Sequence, residues 1–151
     1  MRYLAPFFAF FTALTVLAGC AMSPPADLDV RTTRPTAAGT YVVSLRPLVS
    51  VVPINQIHAW EIAITTVDGK PVDGAHISFD GGMPQHRHGF PTRPRVTEEM
   101  GNGRYRLDGV KFSMTGWWEM KLQIQAGQTS DKIIFNTVVD TPGTGRKLAA
   151  P

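Results

Sequence analysis

Between Gly39 and Asp140 apolar residues recur at every second position, and no stretch long enough for a helix carries a helical stripe. Tyr41, Val43 and Leu45 alternate with Val42, Ser44 and Arg46. Trp60, Ile62 and Ile64 oppose Ala59, Glu61, Ala63 and Thr65, and that run ends at the turn signal Asp68-Gly69-Lys70-Pro71. Ala75, Ile77 and Phe79 form a third run, closed by Gly81-Gly82. Tyr105 and Leu107 share one parity and Val110 and Phe112 the other, so the change at Asp108-Gly109 predicts a bulge. Trp118, Met120, Leu122 and Ile124 alternate with Glu119, Lys121 and Gln123, turn at Ala126-Gly127-Gln128, and are followed by Ile133, Phe135 and Val139. About six to eight short strands over residues 39–140 predict an all-β, immunoglobulin-like antiparallel sandwich, with a small closed barrel as the alternative.

The two ends of the chain follow other patterns. Arg2, an apolar run from Tyr3 to Val16, and Leu17-Ala18-Gly19-Cys20 read as an export signal with a small-residue cleavage site. The run is too short for a spanning helix, which needs about 20 residues. Leu-Ala-Gly-Cys resembles a bacterial lipobox, which implies that residues 1–19 are removed and that Cys20, the sole cysteine, carries acyl chains. Ala21-Met22 lacks the aspartate that retains such lipoproteins at the inner membrane, so the resemblance implies a periplasm-facing anchor in the outer membrane of a Gram-negative cell. Residues 20–38, rich in Pro, Thr and Ala, read as a flexible tether, and residues 141–151 as a disordered tail.

One internal stretch departs from alternation. Gly81–Thr97 holds three prolines and reads as a long irregular loop. In it Met83, His86 and His88 fall within six residues. His-x-His in an extended segment places two imidazoles on one side, and a nearby thioether favours copper over harder ions. The bland alternative is a solvated basic turn with Met83 as an apolar plug. His58 shares the parity of Trp60, which makes it either an additional ligand or a hydrogen-bonded core histidine. Met114, before Thr115-Gly116, is a further sulfur donor. Trp117 and Trp118 must face opposite sides of their strand, so Trp117 is free to shield a site or a partner surface. Arg87, Arg93 and Arg95 offer an anion, headgroup or partner contact beside the same loop, along with Arg104 and Arg106, or simply a solvated face.

Composition mostly excludes. A net charge of +3 is too mild for a nucleic-acid partner. A single cysteine, reserved for the anchor, rules out an internal disulfide, a Cys-rich zinc site and a cysteine nucleophile. No phosphate-binding glycine loop or nucleophile elbow is present, so the chain reads as non-catalytic.

Three segments, Asn55-Gln-Ile-His-Ala-Trp60, Gly82-Met-Pro-Gln-His-Arg-His-Gly-Phe-Pro-Thr92 and Met114-Thr-Gly-Trp-Trp-Glu-Met120, resemble the YtkA-like or FixH-like domains of bacterial envelope proteins over about residues 50–137. The resemblance implies an immunoglobulin-like sandwich outside the cytoplasm, lipid-anchored or membrane-tethered, with links to copper handling and oxidase assembly. A lipobox in place of the FixH-type membrane helix argues against direct work on an inner-membrane oxidase. The sequence thus predicts a lipid-anchored protein that buffers or delivers copper through Met83, His86 and His88, with His58 and Met114 as added donors. The competing expectation is a metal-free docking module for an envelope partner.

Overall fold

The computed structural model describes residues 23–140. The export signal, Cys20 and the 141–151 tail lie outside the described residues. Among the described residues nine strands form two antiparallel sheets. The first contains β1 (Thr33–Pro35), β2 (Tyr41–Pro47), β3 (His58–Thr66), β7 (Arg104–Val110) and β6 (Arg95–Gly101), in the order β1-β2-β3-β7-β6. The second contains β5 (His88–Gly89), β4 (His76–Met83), β8 (Gly116–Ala126) and β9 (Thr129–Val139), in the order β5-β4-β8-β9. The expected sandwich is therefore present. The strands beyond the expected count are the short β1 and β5, whose three and two residues are too few to show an alternation.

The inward parities are those read from the sequence. Val43, Leu45, Ile62, Ile64 and Leu107 from one sheet meet Trp118, Met120, Leu122, Ile124 and Phe135 from the other, all essentially excluded from solvent. Burying side chains of this size contributes roughly 1.5–3 kcal/mol each, which is what holds a disulfide-free sandwich together. The expected bulge is observed: His58 pairs with Val110 and Trp60 with Leu107, so β7 uses one more residue than β3 across Asp108-Gly109. Gly109 takes φ 87°, a conformation costly for any residue with a Cβ. The bulge reverses parity so that both Leu107 and Val110 reach the core.

Ordered structure begins earlier than the tether reading implies. Within residues 23–38, Thr33–Pro35 pairs with Val42–Ser44 as β1. Arg34 donates to the Ile134 carbonyl at 2.8 Å, and Asn136 Nδ2 donates to the Asp29 carbonyl at 2.9 Å, so this segment straps the outer face of the second sheet. Asp131 fastens the strap, accepting from the backbone amides of Ala38 and Thr40 and from that of Lys132. Burial pushes the Asp131 carboxyl up, but its hydrogen bonds from Thr36, Lys132, Ala38 and Thr40 outweigh this and hold it well below the usual carboxylate range. Proline and threonine composition misled because an edge strand tolerates both.

Candidate functional site

The Gly81–Thr97 stretch is not one irregular loop. β4 continues through Gly81 and Gly82 to Met83, and a four-residue turn, Pro84–Arg87, returns the chain into β5. The His86 amide donates to the Met83 carbonyl at 3.1 Å, and Arg87 takes φ 55° to close the turn. Both glycines are required by close approach. A Cβ on Gly81 would strike the Glu119 carbonyl of β8, and one on Gly82 the His88 carbonyl of β5. Their missing side chains also erase the alternation that would have marked the strand. The extended His-x-His arrangement is replaced by a turn residue, His86, followed by a strand residue, His88.

Continuing β4 decides where Met83 goes. It shares the inward parity of Ile77 and Phe79 and is only 1% exposed, packed near Gly116. His88 is its direct cross-strand partner and therefore shares its face, at the open mouth of the core. The His88 ring stands edge-on to Trp118, with centroids 5.7 Å apart, while the residue remains exposed. His86 is exposed too, its ring centre 6.0 Å from that of His88.

Beneath the pair lies an aromatic cluster drawn from separate segments. Trp118 packs against Phe90 at 4.9 Å and Phe112 at 5.3 Å, and Phe112 against His58 at 5.5 Å. His58 thus belongs to the core end of the cluster, joined to His88 only through Phe112 and Trp118. Its Nδ1 lies 3.1 Å from the Gln56 carbonyl, which places the proton there and leaves Nε2 buried without a partner. Burial pushes the His58 pKa down, against a smaller upward pull from the Gln56 carbonyl. Of the two sequence readings of His58, the geometry fits the core histidine. Trp60 Nε1 is a second unpartnered polar atom in the same cluster.

The remaining candidates are dispersed. Met114 is 39% exposed and its carbonyl accepts from Trp118 Nε1 at 3.1 Å, which puts it on the rim beside the indole that His88 touches. Trp117 lies on the outer face of the second sheet, half-buried, its Nε1 donating to Asn136 at 3.0 Å. Arg87 occupies the hairpin tip, Arg93 lines a cleft of 360 Å³ with Phe79, Asp80 and Phe90, and Arg95 opens β6. The arginines do not converge: Arg106 pairs with Asp108, and Arg104 sits 3.8 Å from Glu61, which Arg46 holds at 2.7 Å. Sequence reasoning missed Phe90 and Phe112 as the platform of the site, because residues distant along the chain meet only through the fold.

The histidine pair fits the donor chemistry of a soft or borderline ion. Two imidazoles sharing one ion through nitrogens at about 2.0–2.1 Å place their ring centres roughly 5–6.5 Å apart. The observed separation falls in that window. His88 Nδ1 lies 2.9 Å from the Gly89 carbonyl, an arrangement that places the proton on Nδ1 and leaves Nε2 as the ring's available donor atom. Among the described residues no cluster of three or more His, Cys, Asp and Glu is present, so further donors would have to be thioether or water.

The YtkA-like family model matches residues 37–123, from the β1–β2 turn into β8. The chain belongs to the YtkA-like family. Its membership agrees with the segments that carried the resemblance and with the two-sheet architecture. The structure is also similar to one named "ZirS C-terminal Domain", with a TM-score of 0.41 at 12% identity, over 90% of this chain and 93% of that one. No curated protein matches the sequence. No helix among the described residues is long and apolar enough to cross a membrane.

Proposed function

We propose that this YtkA-like sandwich is a non-catalytic, periplasm-facing module, anchored through Cys20 in the outer membrane, that holds an exchangeable copper ion between His86 and His88. The observation that supports it most directly is the solvent-facing imidazole pair at 6.0 Å, with His88 oriented by the Gly89 carbonyl. Met114 on the rim is the available third donor, whereas Met83 is covered by the core. Copper, when bound, supplies reversible soft coordination, which two exposed imidazoles and a thioether give without trapping the ion. The protein's own part is to orient the rings on a rigid hairpin and to keep one face open to a donor or acceptor.

The test is an anaerobic Cu(I) titration of the purified full chain carrying Cys20→Ala, which has no thiol to compete, against a chromogenic chelator. One equivalent held at micromolar affinity or tighter, and lost in the His86→Ala/His88→Ala variant, is the expected result. Failure of the parent to compete would overturn the copper reading. Exposed apolar side chains at the same end of the sandwich support a second reading, docking without metal, which predicts association that survives loss of both histidines.

A further inference from the structure

The strand connections at the histidine end of the sandwich form a surface unlike the other end. Here lie the β2–β3 connection, the Pro84–Arg87 hairpin, the β5–β6 connection, the β7–β8 connection and the end of β9. The β2–β3 connection, from Leu48 to Ile57, contains no charged residue. It nevertheless projects Val51 and Ile57, 69% and 68% exposed, into solvent, with Leu48 and Met114 exposed beside them. Isolated apolar residues on a surface need no explanation, but several gathered at one end mark a contact surface. The charged residues in the strand connections at this end are Arg87, Arg93 and Lys111, all basic, with Asp140 beyond β9 and Asp27 on the arriving N-terminal segment as the neighbouring acids.

The path of the chain indicates what covers this surface. Gln85 of the hairpin donates to the Ser23 carbonyl at 2.7 Å, so the polypeptide arrives at the domain on this same end. Only two residues stand between Ser23 and Cys20, and a contour of about 10 Å is all that three peptide steps allow. An acylated Cys20 therefore holds this end, and no other, at the bilayer. Apolar tips with basic side chains in the neighbouring connections match the chemistry of a headgroup layer, where apolar groups enter the interface and Lys and Arg face phosphates.

We propose that the histidine end of the sandwich lies against the lipid surface that Cys20 anchors, with Val51 and Ile57 entering the headgroup region. This rests on the anchoring of Cys20 proposed above. A consequence is that the His86–His88 pair opens along the membrane surface, where it meets membrane-held partners before soluble ones.

The test uses the full lipid-modified chain in phosphatidylethanolamine–phosphatidylglycerol vesicles, with an environment-sensitive fluorophore on Val51→Cys, Ile57→Cys or Val67→Cys. Val67 is the control, 72% exposed at the opposite end. Acylation leaves Cys20 unavailable to the label, and the intact mass reports that acylation independently. Blue-shifted emission quenched by lipid-borne nitroxides at positions 51 and 57, with position 67 remaining aqueous, is the expected result. An acylated chain whose label at 51 behaves like that at 67 overturns the orientation and leaves the anchor standing. An unmodified Cys20 in the mass spectrum overturns the anchor, and the orientation falls with it. A label at 51 that is aqueous on vesicles but shielded on native membranes identifies a protein cover and also overturns the lipid contact.

Discussion

The two ends of the sandwich solve opposite problems with the same strands. At the far end the turns are glycine-based. Gly101, Asn102 and Gly103 all take positive φ between β6 and β7, and Gly69 and Gly127 do so in their turns. At the histidine end the connections are apolar or proline-bounded, and beside the positive φ of Asn55 and Arg87 they rest on an aromatic cluster. The difference shows how a small domain separates duties: backbone conformation fixes one end, and side-chain packing carries an exposed, reactive surface at the other.

The largest expected effect comes from removing the packing under the histidines. Phe112 is fully buried and touches His58, Trp60, Phe90 and Trp118. Phe112→Ala should cost about 3–5 kcal/mol of unfolding free energy in a denaturant titration. A loss below about 1 kcal/mol would mean that the cluster is not what supports this end.

Gly103→Ala tests the opposite end. Its φ is 69°, and a Cβ there would collide with the Ile64 carbonyl, which accepts from the Val72 amide while the Ile64 amide donates to the Gly103 carbonyl. A loss of about 3 kcal/mol is expected, with copper binding at the distant histidines unchanged. Loss of metal affinity in a variant that stays folded would show that the ends are coupled, contrary to the comparison.

His58 joins stability to pH at one end only. Its folded pKa lies below the ordinary histidine value of 6.5, so as pH falls the unfolded chain takes up the proton first. Stability is therefore complete above about pH 6.5 and declines as pH drops through and below it. His58→Phe, similar in volume, should remove that decline while staying within about 1.5 kcal/mol of the parent at pH 8. Parallel pH profiles for parent and variant would place the titrating group elsewhere.

Much of this was legible along the chain because alternation is a local signal. Val43 through Leu45, Trp60 through Ile64 and Trp118 through Ile124 face inward as their parity requires, and even the bulge at Asp108-Gly109 shows as a parity change. The site was less legible. The Gly81-Gly82 pair carries no side chain to continue the pattern, so the strand that buries Met83 and turns His88 toward Trp118 looked like loop. The β1 strap is held by Asp131 from about 90 residues away, a contact no window of sequence contains. The uncharged run before His58 was visible as composition, yet its exposure follows only from where the aromatic cluster leaves room.

The smallest expected effect bears most directly on what the histidine end is for. His86 is exposed on a turn, and His88, also exposed, offers the fold one edge contact with Trp118 and a local bond to its neighbouring carbonyl. Surface side chains with such partners change stability little, so the His86→Ala/His88→Ala variant should lie within about 0.5 kcal/mol of the parent by thermal unfolding. The hairpin itself is set by the Gly82–Gly89 pairing and by Arg87, neither of which the substitutions touch. A loss of about 2 kcal/mol would instead make the pair a structural lid over Trp118, and a metal titration on that variant would then report folding and not coordination. A near-silent change leaves two imidazoles at the mouth of an aromatic cluster that the fold does not need for stability.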